Sequence, residues 1–353
     1  MLHIFHEQDQ TSTVATVIHL MTPQELTPYL SRLVDQQLQL SLMLWGPPGI
    51  GKSSIVADVA AKHELQLVDL RLSQLAPTDL RGLPVAENGV SRWFPPEFLP
   101  TGGKGILFLD EINMAPPAMQ GIAQQLILDR QVGSYRVPDG WFIWAAGNRK
   151  SDRAAVFEMP SALANRFIHL DLVPDFDSFK AWGLRVGLNE QVLAFLAFRP
   201  TLLHQIDAQR PAWPSPRSWV MANQLRGAAL SVEPAIGPGA AGEFEAFCAV
   251  YQGLPDLESI LEGKSKAKFP PEASARYATV LGLIVRTDTA DKGVNALSWL
   301  VKQAGAEWVQ FFATDLFRAM REKGKFGDLA RLISANAELK DFARNMRDLI
   351  FSV

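Results

Sequence analysis

Gly46-Pro47-Pro48-Gly49-Ile50-Gly51-Lys52-Ser53 follows an apolar run, Leu40 to Trp45, and precedes a helix-like run from Ser54 to His63. Strand, glycine loop and helix start in that order aim several main-chain N–H groups and the positive end of a helix dipole at one point, which suits a polyphosphate. Glycines at 46, 49 and 51 let the chain take positive φ and approach the phosphates where a Cβ would clash. Lys52 is expected to reach the β- and γ-phosphates and Ser53 to offer its hydroxyl to Mg2+, so Gly46 to Ser54 form the expected nucleotide-binding run.

Outward from this loop, apolar strand-like runs alternate with helical stretches. The strand-like runs are Leu40 to Trp45, Leu65 to Leu72, Gly105 to Asp110, Trp141 to Ala146 and Phe167 to Leu172. Five strands separated by helices predict an α/β fold with a five-stranded parallel sheet covered on both faces. Upstream, Thr22-Pro23-Gln24-Glu25 has the form of a helix start, with Thr22 as N-cap and Glu25 closing a capping box. Residues 1–21 carry no period and are expected to be a flexible arm. Beyond Pro174 the spacing of apolar residues turns helical throughout, as in Gln191 to Phe198, Arg217 to Leu230, Glu243 to Tyr251, Glu272 to Val285, Gly305 to Glu322 and Phe326 to Ser334. Breaker-rich loops are expected at Pro200 to Pro216 and Glu233 to Gly242. The expected organisation is an α/β core over 22–173, a helical lid over 174–263 and a C-terminal helical extension over 264–353.

Whole-chain properties narrow the setting. With 353 residues and 48% hydrophobic content the chain can bury substantial cores. A net charge of −3 supplies no global basic field for nucleic acid or an anionic membrane. Cys248 is the single cysteine, which excludes an internal disulfide and suits a reducing compartment. No basic-then-apolar leader opens the chain and no apolar run approaches a bilayer span, so a cytoplasmic location is expected. The six histidines show no ligand spacing, and no metal beyond Mg2+ is expected.

The third strand, Gly105-Ile-Leu-Phe-Leu-Asp-Glu, ends in an acidic pair. An apolar strand that delivers two carboxylates at its C-terminal end places them where ligands of open α/β sheets bind. Asp110 is expected to hold Mg2+ and Glu111 to orient and deprotonate a water that attacks the γ-phosphate. Leu109-Asp-Glu-Ile-Asn-Met-Ala-Pro-Pro-Ala-Met-Gln resembles the signature of the MoxR family of AAA+ ATPases, with Asn113, Pro116, Pro117 and Gln120 matching. The resemblance covers about residues 35 to 230 and fades beyond. It implies ATP hydrolysis with Mg2+, Asn148 at the sensor-1 position, Arg166 of Pro160-Ser-Ala-Leu-Ala-Asn-Arg-Phe as an arginine finger acting on a neighbour's nucleotide, and Arg217 of Ser215-Pro-Arg as a sensor-2 residue of the lid. Arg149 and Arg153, just after sensor 1, are alternatives for the finger. An arginine suits either role because it brings a permanent charge and a planar fork of donors to the charge that phosphoryl transfer spreads over oxygen.

The same resemblance implies a homo-oligomeric ring, hexameric by analogy, a protein client, and a partner containing a von Willebrand factor A domain. Two inserts are candidate working surfaces of such a ring. One spans Leu83 to Phe94 around the turn Asn88-Gly89; the other is Gln131-Val-Gly-Ser-Tyr-Arg-Val-Pro-Asp-Gly. Trp93, Phe94, Tyr135 and Arg136 are candidates for gripping a partner, while packing onto the body is the plainer role for Trp93 and Phe94. A nucleic-acid motor or loader is the alternative, carried by Arg81, Arg92 and Arg136 on the inserts. A small-molecule kinase is disfavoured, because Glu111 and Arg166 both suit attack by water.

Overall fold

A computed structural model of the chain describes residues 20–152, 156–207 and 209–345. Most of the expected N-terminal arm, and Arg153, lie outside these residues. The chain divides between Pro174 and Asp175 into two compact units.

In the first unit six strands form one parallel sheet: β1 (Leu20–Met21), β2 (Leu42–Trp45), β3 (Gln66–Arg71), β6 (Lys104–Asp110), β9 (Gly140–Gly147) and β10 (Ile168–Leu172). Their order across the sheet is β1-β10-β2-β9-β6-β3. The expected number was five. Leu20 and Met21, assigned by sequence to the arm, add the sixth by pairing with Asp171 and Leu172. A strand of two residues is too short to show alternation, so nothing in its sequence distinguishes it from coil.

The central strands are apolar without a break because both faces are covered. On β6, Ile106, Leu107, Phe108 and Leu109 are all fully buried. They alternate between two cores, Leu107 and Leu109 in one and Ile106 and Phe108 in the other. Helices α1 (Pro23–Asp35) and α2 (Lys52–Lys62) cover the face of Phe108 through Leu30, Val56 and Val59. Helix α4 (Pro117–Asp129) covers the other through Met119, Ala123 and Leu126. The Thr22 capping box forms, with Glu25 N–H donating to Thr22 Oγ1 and Thr22 N–H to Glu25 Oε2. Such a cap is worth about 1 kcal/mol. The short helices α3 (Pro77–Arg81) and α5 (Ser161–Ala164) complete the unit.

Both inserts are antiparallel hairpins. The first joins β4 (Leu83–Glu87) to β5 (Val90–Phe94), with Asn88 at φ 51° and Gly89 at φ 78°, the left-handed pair that a two-residue turn needs. The second joins β7 (Gln131–Val132) to β8 (Tyr135–Arg136). Tyr135, a candidate for contact with a partner, is instead buried, and its hydroxyl donates to the Pro100 carbonyl. Trp93 lies against Gly133, and Ser134 Oγ donates to the Trp93 carbonyl, so Trp93 packs one hairpin on the other. Leu83, Val85, Val90 and Phe94 stay exposed.

The second unit is helical: α6 (Phe176–Val186), α7 (Glu190–Phe198), α8 (Pro216–Gly227), α9 (Glu233–Ile236), α10 (Pro238–Ala249), α11 (Leu257–Leu261), α12 (Ala273–Arg286), α13 (Ala290–Gln303), α14 (Ala306–Glu322), α15 (Phe326–Ala335) and α16 (Lys340–Asn345). One apolar core runs from Phe179 to Phe342. The stretch from Glu233 to Gly242, expected to be a loop, forms α9 and the start of α10. Its prolines sit in the first turn of each helix, where the missing N–H costs nothing. Helix α13 is not among the stretches named above, although Ala290, Gly293, Val294, Leu297 and Leu300 keep a helical period on its buried face.

Candidate nucleotide site

The sheet order creates the site. β9 lies between β2 and β6, so the segments leaving the C-terminal ends of these three strands are neighbours: the glycine loop after Trp45, the acidic pair after Leu109, and Asn148 after Gly147. In the loop Gly46, Gly49 and Gly51 all have positive φ. At Gly46 a Cβ would fall 2.5 Å from the Leu172 carbonyl oxygen and 2.7 Å from Ile50 Cδ1, so no other residue fits there without displacing the loop from β10.

Gly51 is the N-cap of α2 and brings no side chain to its first turn, which also holds no acidic residue. The positive end of the α2 dipole and the first N–H groups, those of Lys52, Ser53 and Ser54, therefore face the loop without a capping side chain. Lys52 is buried at 9% exposure. Its ammonium donates to the carbonyls of Gly46 at 2.6 Å and Pro47 at 3.1 Å, and to Asn148 Oδ1 at 2.9 Å. Ser53 Oγ donates to Asp110 Oδ2 at 2.7 Å. Four expected residues from three separate segments, Lys52, Ser53, Asp110 and Asn148, thus meet in two direct contacts.

Glu111 has a left-handed backbone, φ 56° and ψ 32°. A non-glycine residue pays for that conformation in strain, of order 1–3 kcal/mol, and holds it only where its surroundings insist. Glu111 N–H donates to Asp110 Oδ1, and Ser73 Oγ donates to Glu111 Oε2. Ser73 was not among the residues expected from sequence. It lies just past β3, the strand beside β6, and inspection of each residue that follows a strand at this edge is the signal that finds it. Asp69 on β3 was also missed. Although Asp69 is exposed on β3, partial desolvation pushes its carboxyl above the ordinary range, and the nearby charges of Asp110 and Glu111 add to the effect while Arg71 opposes it.

The candidate cations are placed differently. Arg166 is exposed, two residues beyond α5 and two before β10. Among the described residues no ion pair or hydrogen bond joins its guanidinium. Ile168, at the start of β10, pairs with Leu42 at the start of β2, so Arg166 emerges at the sheet edge opposite the loop that follows Trp45. Arg149 is spent within the unit: it pairs with Asp171 on β10, and burial lowers its pKa. Arg217 is exposed in the first turn of α8, in the helical unit.

The donor set fits a nucleotide with Mg2+. A helix N-terminus and a buried ammonium suit phosphate, while the Ser53 hydroxyl and Asp110 carboxylate are the oxygen ligands that a hard cation takes.

Comparison with known proteins finds likenesses over parts of the chain. A putative chaperone, BssE, of Thauera aromatica is 30% identical over 155 residues, covering 40% of this chain and 54% of that protein. Midasin of Giardia intestinalis is 30% identical over 145 residues, covering 38% of this chain and 3% of that protein. The chain thus spans about half the length of one and a small fraction of the other. A solved structure of a RuvB mutant from Thermotoga maritima aligns over 68% of this chain and 74% of its own, at 17% identity and a TM-score of 0.39. Residues 41–167 match the family model of the AAA domain, dynein-related subfamily, and the glycine loop, the acidic pair, Asn148 and Arg166 all lie inside that segment.

Proposed function

We propose that the chain is an ATP hydrolase of the AAA+ type, close to the MoxR family, which works as a ring on a protein client. The observation that carries this reading is the joining of Lys52 to Asn148 and of Ser53 to Asp110 at one end of the sheet. In this reading of ATP hydrolysis Lys52 and the α2 N-terminus hold the β- and γ-phosphates, and the Asn148 carboxamide, already bonded to Lys52, serves the γ-phosphate or the attacking water. Glu111 takes the proton of that water. Ser53 and Asp110 would hold Mg2+, which would supply charge neutralisation at the phosphate oxygens.

Arg166 acts on the nucleotide of a neighbouring subunit in this reading. Its exposure and its exit at the edge opposite its own loop support that assignment over action within one chain. Arg217 on α8 acts as the lid's sensor of nucleotide state. Residues 174–263 serve as that lid and 264–353 as its helical extension. A hexameric ring and a partner with a von Willebrand factor A domain come from the family resemblance.

A protein client is favoured over nucleic acid by the first hairpin. Its outer face presents four exposed apolar side chains, and Arg92 there is paired with Glu87 at 3.3 Å, which leaves little free positive charge for a phosphate backbone. The printed name of the Thauera relative, a putative chaperone, points the same way.

Glu111→Gln tests the proposal. The variant is expected to bind ATP with unchanged affinity, to lose ~10²-fold or more in turnover, and to accumulate as an assembly larger than a monomer by light scattering. Chemical cross-linking of this trapped form should recover polypeptide. Normal turnover, or recovery of nucleic acid alone, would defeat the corresponding part of the reading.

A further inference from the structure

Asn148 stands one residue beyond the last ladder pair of β9, Gly147 with Trp45, so the sheet itself does not fix its main chain. Asn113 does. This side chain is 3% exposed and lies three residues after Asp110, in the turn that follows the acidic pair. Its Nδ2 donates to the Asn148 carbonyl at 2.6 Å, and its Oδ1 accepts from the Asn148 N–H at 3.3 Å. A carboxamide carries donor and acceptor side by side, so one side chain satisfies both main-chain groups of a residue outside the ladder. The main-chain carbonyl of Asn113 in turn accepts from the Phe157 N–H at 2.7 Å, which ties the turn on its other side.

The close approach has a condition. A Cβ at Gly147 would lie 2.4 Å from Asn113 Oδ1 and 2.6 Å from Met43 Cε, so the clamp exists only because β9 ends in glycine. Held in this way, Asn148 directs its Oδ1 to the Lys52 ammonium.

We infer that Asn113 is a positioning residue for hydrolysis: it acts through Asn148, by fixing the main chain from which the Asn148 carboxamide is aimed at Lys52 and the phosphate end of the loop. The inference rests on the ATP hydrolase reading. Its physical basis is that a shift of about 1 Å in a positioned group costs on the order of 10²-fold in rate. The main-chain N–H groups of the loop and the α2 N-terminus, which carry most of the phosphate binding in this reading, make no hydrogen bond to Asn148 among the described residues.

The test is a kinetic cycle. Asn113→Asp keeps the size and the acceptor but turns a carboxylate oxygen towards the Asn148 carbonyl; Asn113→Ala removes both contacts. Each is measured alone and combined with Asn148→Ala, with a fluorescent ATP analogue for affinity and phosphate release for turnover. The expected result is affinity within about threefold of wild type, turnover reduced ~10–100-fold, and a double variant no slower than Asn148→Ala alone. Gly147→Ala should reproduce the loss of turnover. Thermal melts establish which variants fold, and Asn113→Asp is close enough in shape to serve if Asn113→Ala does not. Losses that multiply in the double variant, or a folded Asn113→Asp with turnover within twofold of wild type, would overturn the positioning role while leaving the hydrolase reading in place. A wild-type chain that neither binds the analogue nor releases phosphate would overturn both.

Discussion

Lys52 and Arg166 are both cations of the same α/β unit, yet they are built on different terms. Lys52 is buried and donates to Gly46, Pro47 and Asn148 at the C-terminal edge of the sheet. Arg166 is exposed at the opposite edge, with no described partner, after a helix of four residues. Arg149, a rival for the same role, is neutralised by Asp171 in its own chain. A group that serves its own subunit can be held in place before substrate arrives, which spares the reorganisation at the moment of reaction. A group that serves a neighbour gains nothing from an internal partner, because such a pair would have to be broken at every encounter. On the proposed reading the difference is therefore between a site completed by folding and a site that assembly would complete.

The largest effect that can break this comparison is on Lys52. Lys52→Ala should abolish nucleotide binding at any protein concentration, measured by titration calorimetry, because it removes the buried cation from an otherwise intact loop. Affinity equal to wild type would show that the loop does not hold phosphate.

Arg166→Ala comes next, with an expected loss of ~10³-fold in turnover and little change in affinity. Its sharper form is a dilution series: wild-type specific activity should fall as the protein is diluted. Activity that stays constant to nanomolar concentration, with Arg166→Ala as active as wild type, would place hydrolysis within a single chain.

Ser73→Ala should alter turnover by roughly 3–10-fold. A hydrogen bond to a charged acceptor is worth about 1.5–3 kcal/mol, but the rate reads only the part that differs between ground and transition states; about half of the smaller value, ~0.7 kcal/mol, gives threefold and about 1.4 kcal/mol gives tenfold. The direction is informative, since a faster variant means that Ser73 holds Glu111 back and a slower one that it aligns Glu111 for the water. Rates indistinguishable from wild type would remove Ser73 from the site.

The smallest effect concerns stability. The carboxyl of Asp69, exposed on β3, is raised by partial desolvation and by the neighbouring charge of Asp110, so the folded chain binds its proton more readily than the unfolded chain does. Ionised Asp69 thus costs stability above its folded pKa, and the cost disappears when the pH falls below the unfolded value. Asp69→Asn should raise the melting temperature at pH 7 and above, with the gain shrinking towards acid. A gain that grows as the pH falls would reverse the assignment.

Much of the first unit can be read in one dimension because its signals are local. The five longer strands are bounded by apolar runs, the loop by its glycines, and the α1 cap by Thr22 and Glu25. Other features depend on which strand lies beside which. Ser73 and Asp69 matter because β3 neighbours β6; Tyr135 is buried because the second hairpin folds on Pro100; Leu20–Met21 become a strand because β10 offers a free edge. No local preference encodes such pairings. In the helical unit the loss is of another kind, since the prolines of α9 and α10 read as breakers in isolation but are tolerated in the first turn of each helix.

From sequence alone came the phosphate loop, the acidic pair and the alternation that makes an α/β core, since each depends on residues adjacent along the chain. Tertiary structure alone decided that β9 runs between β2 and β6, which brings Asn148 to Lys52, and that Arg166 leaves from the far edge. Those relations are set by hydrogen bonding and apolar packing between segments distant in sequence.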